Sequence, residues 1–461
     1  MNLDVVIMAA GKGSRMHSAT PKVLHRVAGV TMLERVLNAA IKLQPKRVAV
    51  VYHDDEVLHS LKSYTNIVMV KQNDTLGTGH AAQLALKQLT KLGAAKKVLI
   101  LCADLPLLTT GSLKSFCEQA KATDLAVCSF FNPDPFGFGR VVRDGQHHLS
   151  AIVEQRDASA EIQAIKEVNS GVMVAKTEAL LKLLPQLKTL NQQREYYLTD
   201  CVALALAQHY KVEGFLAEQP SDFQGVNDMV QLAYAERLVQ QREVLALQQQ
   251  GVKVLDPARL DVRGIVKVGR DVQLDVDVVL EGEVELGNNV QIGPFCHLKN
   301  VKIKDNAVIL AHCDLEGAEI GNSCSIGPFA RLRPGTCIAS AAKVGNFVEV
   351  KNSAIAASSK VSHLSYIGDS IIGKEVNIGA GTITCNYDGQ VKHQTRIGDK
   401  VFVGSNSALV APVTIGASAT IGAGSVITED VAPSSLALGR SRQVAIAAWK
   451  QRTKRSKKIK K

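Results

Sequence analysis

Residues 1–227 predict an α/β domain with a mostly parallel sheet, residues 228–250 a long linker helix, and residues 251–449 a parallel β-helix of hexapeptide repeats. Three patterns carry that reading. Short apolar runs alternate with amphipathic stretches, a segment without glycine or proline follows, and the period then changes to six residues.

In the first part, residues 5–8, 47–51, 98–102 and 125–129 read as strands, and residues 33–43, 79–92 and 198–208 as the helices between them. Strands alternating with helices imply a sheet covered on both faces, with ligands at the carboxyl ends of its strands. Residues 228–250 are rich in Gln, Glu, Arg, Leu and Ala, which suit a helix ending at Gly251. From Val268 onward, aliphatic residues recur every six positions, with occasional five-residue steps such as Leu298 to Ile303. The series runs to Ile378 and resumes from Ile397 to Ile427 after a longer insertion. Many of these residues precede a glycine, for example Gly287, Gly345, Gly379 and Gly404. Neither a helix nor an ordinary strand has a period of six. A coil of three short strands per turn does, with each aliphatic side chain pointing inward and each glycine allowing the bend between faces.

Composition narrows the class. Hydrophobic residues make up 46% of the chain and charged residues 21%, as in soluble globular proteins. No stretch is long enough for a membrane span, and no signal peptide opens the chain, so a cytoplasmic protein is expected. Nine cysteines without a CxxC pair suit free thiols in a reducing compartment. The net charge is +11, but Lys450, Arg452, Lys454, Arg455, Lys457, Lys458, Lys460 and Lys461 supply most of it. Residues 450–461 therefore read as a basic, disordered tail, and no specific nucleic-acid binding is expected.

Four segments of the first part carry chemistry. Met8-Ala9-Ala10-Gly11 opens a loop continuing through Arg15 to Lys22, where small residues let backbone N–H groups approach phosphates and the cations add charge. The loop lacks both the dinucleotide-binding fingerprint and the Walker A spacing. Gln72, with Gly77 and Thr78 opening the next helix, suits a nucleobase or phosphate. Cys102-Ala103-Asp104 puts a carboxylate just after a strand, and Asn227 adds a hard oxygen, together suiting Mg²⁺ bound to phosphates.

In the repeat region, Arg333 and Lys351 lie 18 residues apart, one full turn, so they should stack in adjacent coils and hold an anion between them. Solvated surface charge is the bland alternative. His363 falls on a different face from Lys351; a neutral imidazole there could take a proton from an amine, or simply be structural. The polar segment from Thr382 to Gly389, which contains Asn386 and Tyr387, interrupts the coil.

The repeats resemble the hexapeptide acyltransferases, which implies a left-handed coil and a homotrimer with sites between neighbouring coils. The first part resembles the sugar nucleotidyltransferases. Across nearly the whole chain the order of motifs resembles the bifunctional N-acetylglucosamine-1-phosphate uridylyltransferase/glucosamine-1-phosphate acetyltransferase family, whose first domain is Rossmann-like. That resemblance implies two activities in UDP-N-acetylglucosamine synthesis, for peptidoglycan and lipopolysaccharide, with UTP and acetyl-CoA as co-substrates and Mg²⁺ as cofactor. It assigns Met8, Ala9, Ala10, Gly11, Lys22, Gln72, Gly77, Thr78, Cys102, Ala103, Asp104, Gly139, Glu154, Asn169 and Asn227 to UTP and the UDP-sugar, with Gly139, Glu154 and Asn169 on the sugar. Asp104 and Asn227 become the metal ligands. It gives Arg333, Lys351, Tyr366 and Asn377 to glucosamine 1-phosphate, His363 to the general base, and Ala380, Asn386, Tyr387, Ser405, Ala423 and Arg440 to acetyl-CoA. Cys102-Ala103 departs from the aromatic-glycine pair usual in the family. Two other readings compete: a nucleotidyltransferase whose β-helix only regulates or oligomerises, and a nucleic-acid scaffold using the basic tail.

Overall fold

The structure is a computed structural model describing residues 2–11 and 13–449. The reading of residues 450–461 as a disordered tail therefore lies outside the described residues. The chain forms two compact units. The first runs through Ala246 and includes Asp261–Gly264; the second takes in Leu247–Leu260 and the chain from Ile265 on.

The first unit is built on a sheet whose strands stand in the order Val212–Leu216, Leu125–Phe131, Glu167–Lys176, Lys97–Cys102, Leu3–Ala9, Arg47–Tyr52, Ile67–Lys71. All neighbours are parallel except Glu167–Lys176, which runs antiparallel between Leu125–Phe131 and Lys97–Cys102. The central strands are apolar on both faces because both are covered. Val5 and Ile7 point into one core with Leu33, Val36, Leu37 and Phe116, while Val6 points into the other with Ala82, Ala85, Leu86 and Leu89. The helix Met32–Ile41 begins at a capping box in which Thr31 and Glu34 satisfy each other's backbone N–H groups. The expected long helix is Met229–Gln249. Ala235 and Val239 pack it against Val27, Ala28, Met32, Leu107 and Val226. Arg242 pairs with the buried Asp222 at 2.6 Å.

The second unit is a parallel β-helix. Residues one coil apart pair in register, as in Ile326↔Val344, Val344↔Val361, Val361↔Ile378, Ile378↔Val403 and Val403↔Ile421. Every six-period aliphatic from Leu274 to Ile427 is buried, and Val268 is half-buried. The five-residue steps share one corner, where Asn300, Asn352 and Asp369 adopt positive φ.

Two details correct the sequence reading. Apart from Gly327, with its φ of 96°, the bends are not made by the glycines that follow the aliphatics. Two residues after Gly287, Gly321, Gly373 and Gly398 stand Asn289, Ser323, Glu375 and Lys400, and these hold the left-handed conformation. The glycines serve the close approach of the next coil instead: a Cβ on Gly345 would fall 1.9 Å from the Ser362 carbonyl oxygen. The polar insertion also starts later than expected. Strand Ile383–Cys385 continues the coil, and Thr384 takes a buried, aliphatic-type position between Ile367 and Leu409. Its hydroxyl is tolerated there because it accepts a bond from the Gly368 N–H at 2.8 Å.

The nine cysteines are free thiols; Cys337 alone among them is exposed. No helix among the described residues is long and apolar enough to cross a membrane.

The glycine argument is testable by urea unfolding of the full chain. Gly345→Val should destabilise the second unit by about 1–3 kcal/mol through overpacking. Gly145→Ala, where a Cβ meets nothing within 4 Å, should stay within about 0.5 kcal/mol of the wild type.

Candidate functional site

The first site lies where Leu3–Ala9 and Lys97–Cys102 end side by side, tied by a bond from the Ala103 N–H to the Met8 carbonyl at 3.0 Å. A cavity of about 350 Å³ opens there, lined by Met8, Ala10, Gly11, Lys22, Gln72, Gly77, Thr78, Cys102 and Asp104. A neighbouring cavity of about 190 Å³ shares Met8, Thr78, Cys102 and Asp104 and adds Gly139, Glu154, Asn169 and Asn227. The nucleotide-side and sugar-side residues therefore meet along one continuous lining. Ala9, ending its strand, and Ala103, just after the next, are buried, so only their backbones can take part. Gly77 must be glycine: its φ is 103°, and a Cβ would sit 2.7 Å from the Tyr196 carbonyl oxygen. No side chain caps the helix Thr78–Lys91, and the Thr78 hydroxyl accepts the Leu198 N–H at 3.0 Å.

The charges converge. Lys22 forms an ion pair with Asp104 and donates to the Asn227 carbonyl oxygen at 3.2 Å, which also accepts from Arg15 at 3.0 Å. One ammonium thus stands where a carboxylate oxygen and an amide oxygen meet. Glu154 is half-buried, and desolvation pushes its carboxyl above the usual range, against a bond from the Thr199 hydroxyl at 3.1 Å. The Asn169 N–H donates to the Gly139 carbonyl at 2.8 Å. Burial holds the Cys102 thiol protonated, far above its ordinary value, and its sulfur donates to the Gly171 carbonyl at 3.6 Å. It is a wall, not a nucleophile.

In the second unit the candidates fall into two columns. Arg331↔Glu349 and Leu332↔Val350 register places Arg333 beside Lys351 in the next coil. Arg333 meets Glu349 at 2.9 Å, so part of its charge is already balanced. Lys351 faces Lys392 from the insertion, and this second ammonium, then desolvation and Arg333, push its pKa below the ordinary lysine value. Gly368, one coil on, leaves room for the Tyr366 hydroxyl and the Asn386 amide: a Cβ there would lie 2.5 Å from the former and 2.8 Å from the latter. The Tyr387 hydroxyl folds back to the Gly389 carbonyl at 2.6 Å.

The other column stands on the opposite corner. Asn346↔His363 register continues, two residues after each paired aliphatic, through Ala380, Ser405 and Ala423. Arg440 follows the last strand, Leu436–Ala437. His363 is exposed, and its Nδ1 lies 2.6 Å from the Asn346 carbonyl oxygen. That oxygen can only accept, so Nδ1 carries the proton and Nε2 keeps its lone pair. Asn377 lies on the same face, in register with Lys360. Five residues of chain separate the His363 column from that of Lys351, with the corner at Phe347 and its positive φ between them.

Comparison with known proteins covers the same two halves. The family described as MobA-like NTP transferase domain matches residues 5–195, and the bacterial transferase hexapeptide (six repeats) family matches residues 394–429. The chain is 48% identical over 459 residues to the bifunctional protein GlmU of Stutzerimonas stutzeri (strain A1501), covering 99% of this chain and 100% of that one. It is 47% identical over 456 residues to that of Stenotrophomonas maltophilia (strain K279a), and 46% over 456 residues to that of Xylella fastidiosa (strain 9a5c), each covering 98% of this chain and 99% of the relative. The chain belongs to the GlmU family.

In this GlmU-family chain several residues near the sites escaped the sequence reading. Arg140 is buried without a carboxylate partner and binds Gln155 at 2.8 Å, the Gln163 carbonyl at 3.2 Å and the Phe138 carbonyl. Gln155 in turn accepts the Gly137 N–H at 3.1 Å, so one guanidinium braces the loop leading to Gly139. Thr199, Glu195, Thr75 and Lys392 were also missed. All are polar residues in unremarkable contexts, placed only by long-range folding.

Glu154 gives a pH test. Its pKa is raised in the folded state, so ionising it opposes folding. The cost is absent in acid, where the carboxyl is protonated folded or unfolded, and appears as pH rises through the ordinary carboxyl range. Glu154→Gln should therefore raise the melting midpoint by about 2–4 °C at neutral pH, and the gain should shrink on acidification. A gain independent of pH in calorimetry would contradict this.

Proposed function

We propose that the chain acts as a two-site enzyme: its second unit acetylates the amine of glucosamine 1-phosphate from acetyl-CoA, and its first joins the product to UTP, releasing pyrophosphate. The convergence of Lys22, Arg15, Asp104 and Asn227 on one cavity edge carries the uridylyl half. End-to-end identity with bifunctional relatives supports pairing it with the acetyl half.

In uridylyl transfer a phosphate oxygen of the sugar phosphate attacks the α-phosphorus of UTP, and the bond to pyrophosphate breaks. Both reactants are anions, so the chain's task is positioning and charge neutralisation. Gln72, Gly77 and Thr78 would hold the uridine side, and Gly139, Glu154 and Asn169 the sugar. Lys22 and Arg15 would face the phosphates. The two oxygens of Asp104 and Asn227 meet around a cation already, which fits a hard divalent ion completing its shell with phosphate and water. Bound there, Mg²⁺ would neutralise phosphate charge. Among the described residues no cluster of three or more His, Cys, Asp or Glu could hold a metal alone, which suits an ion arriving with nucleotide.

In acetyl transfer, His363 Nε2 would take the amine proton as the nitrogen attacks the thioester carbonyl and coenzyme A leaves as thiolate. Arg333, Lys351, Tyr366 and Asn377 would hold the sugar phosphate. Ala380, Ser405, Ala423 and Arg440 would line coenzyme A, with Asn386 and Tyr387 between donor and acceptor. A homotrimer would supply the two columns from neighbouring copies. The stacked, exposed row Phe295, His312, Phe329 and Phe347 beside the His363 column supports this. A cytoplasmic site of action follows from the co-substrates.

Separate assays of each product test the assignment. Asp104→Ala should abolish uridylyl transfer and leave acetyl transfer close to wild type. His363→Ala should slow acetyl transfer by about 10²–10⁴-fold with uridylyl transfer intact. Wild-type acetylation by His363→Ala would remove the histidine from the mechanism.

A further inference from the structure

Gln72 is buried, and its main chain is fixed: its N–H donates to the Tyr52 carbonyl at 2.8 Å, and its own carbonyl lies 2.9 Å from His53 Nδ1. Only the amide can turn. Its nitrogen lies 3.3 Å from the Gly77 carbonyl oxygen and 3.1 Å from Nδ1 of His80, in the first turn of the helix Thr78–Lys91. The Gly77 oxygen can only accept, so the atom facing it is the amide NH₂. His80 Nδ1 must then accept as well, which fixes the tautomer with its proton on Nε2. The same Nδ1 lies 3.2 Å from the Asp74 carbonyl, to which it could bond only if protonated. The ring thus stands between a donor and an acceptor, and its tautomer decides which way the Gln72 amide points. With Nδ1 bare, the amide oxygen is left toward the cavity that Gln72 lines, where it meets no hydrogen-bond donor among the described residues.

We propose that His80, which does not itself line the cavity, is the positioning residue for nucleobase choice: its bare Nδ1 holds the Gln72 NH₂ so that the amide oxygen selects a pyrimidine donating at N3 over one accepting there. Uracil carries N3–H; cytosine presents a lone pair at that atom, which an amide oxygen repels. A released amide could turn its NH₂ to the cavity and lose the distinction. The inference rests on the uridylyl reading above.

The test compares kcat/KM for UTP and CTP in the full-length protein with Mg²⁺ and N-acetylglucosamine 1-phosphate. The wild type should prefer UTP. His80→Leu removes the acceptor and should lower that preference about tenfold, the worth of roughly one hydrogen bond, through KM for the nucleotide and not for the sugar phosphate. His80→Asn, whose amide oxygen reaches the position of Nδ1, should restore most of it. A folded His80→Leu enzyme with the wild-type preference overturns the proposal while leaving the uridylyl reading intact. A wild type that transfers no nucleotidyl group overturns both. Should His80→Leu fail to fold, ¹⁵N NMR of histidine-labelled wild type decides: His80 Nδ1 is expected unprotonated, and a protonated Nδ1 overturns the proposal.

Discussion

Parallel strands about 4.8 Å apart leave no space for a Cβ that points at the neighbouring backbone, and this constraint organises the second unit. It sets glycine at Gly345, Gly379 and Gly404, where the next coil's main chain comes closest. It also keeps successive coils in register, because a slip of one residue would turn every buried aliphatic outward. Columns of side chains follow at a fixed spacing. Arg333 and Lys351 stand one strand apart in such a column, a separation that matches the reach of a single phosphate group, and His363, Ala380, Ser405 and Ala423 stand in another. The corner where step length varies is the one that carries Asn352, Asp369 and the insertion after Cys385. There the ladder can be lengthened without disturbing the inward stack.

The first unit answers a different constraint. Parallel strands end on one side of the sheet, so Met8 and Cys102 deliver their loops to a common edge, and Asp104 arrives there with them. A carboxylate at such an edge needs a counter-charge. Lys22 supplies one, with Asn227 joining from the far end of the unit. Glu154 lacks a cationic partner and remains a desolvated carboxyl with a raised pKa, the kind of group that a sugar hydroxyl can satisfy.

Much of this was legible in the sequence, for reasons specific to each element. The six-residue period survives because every inward position is local to its own strand, and the central strands because a sheet covered on both faces demands unbroken apolar runs. The start of the insertion was not legible. Thr384 sits inside the shaft, and no composition rule foretells that the Gly368 N–H will meet its hydroxyl. Nor was the role of the glycines, since bending and close approach leave the same letter in the sequence. Arg140, His80 and Lys392 were invisible for a common reason: each acts on a residue whose proximity is created by folding, and neither charge nor spacing marks it beforehand.

Burial of the cysteines has a practical reach beyond the sites. Desolvation pushes the Cys117 thiol up to about 11 and those of Cys128 and Cys201 up to about 12, so reagents that need a thiolate find little of it there. Cys337 is the one fully exposed thiol, on a strand of the coil. Cys337 is thus the most open attachment point, with Cys385 of the same unit half-buried, and a fluorophore or spin label on the second unit needs no change to the sequence.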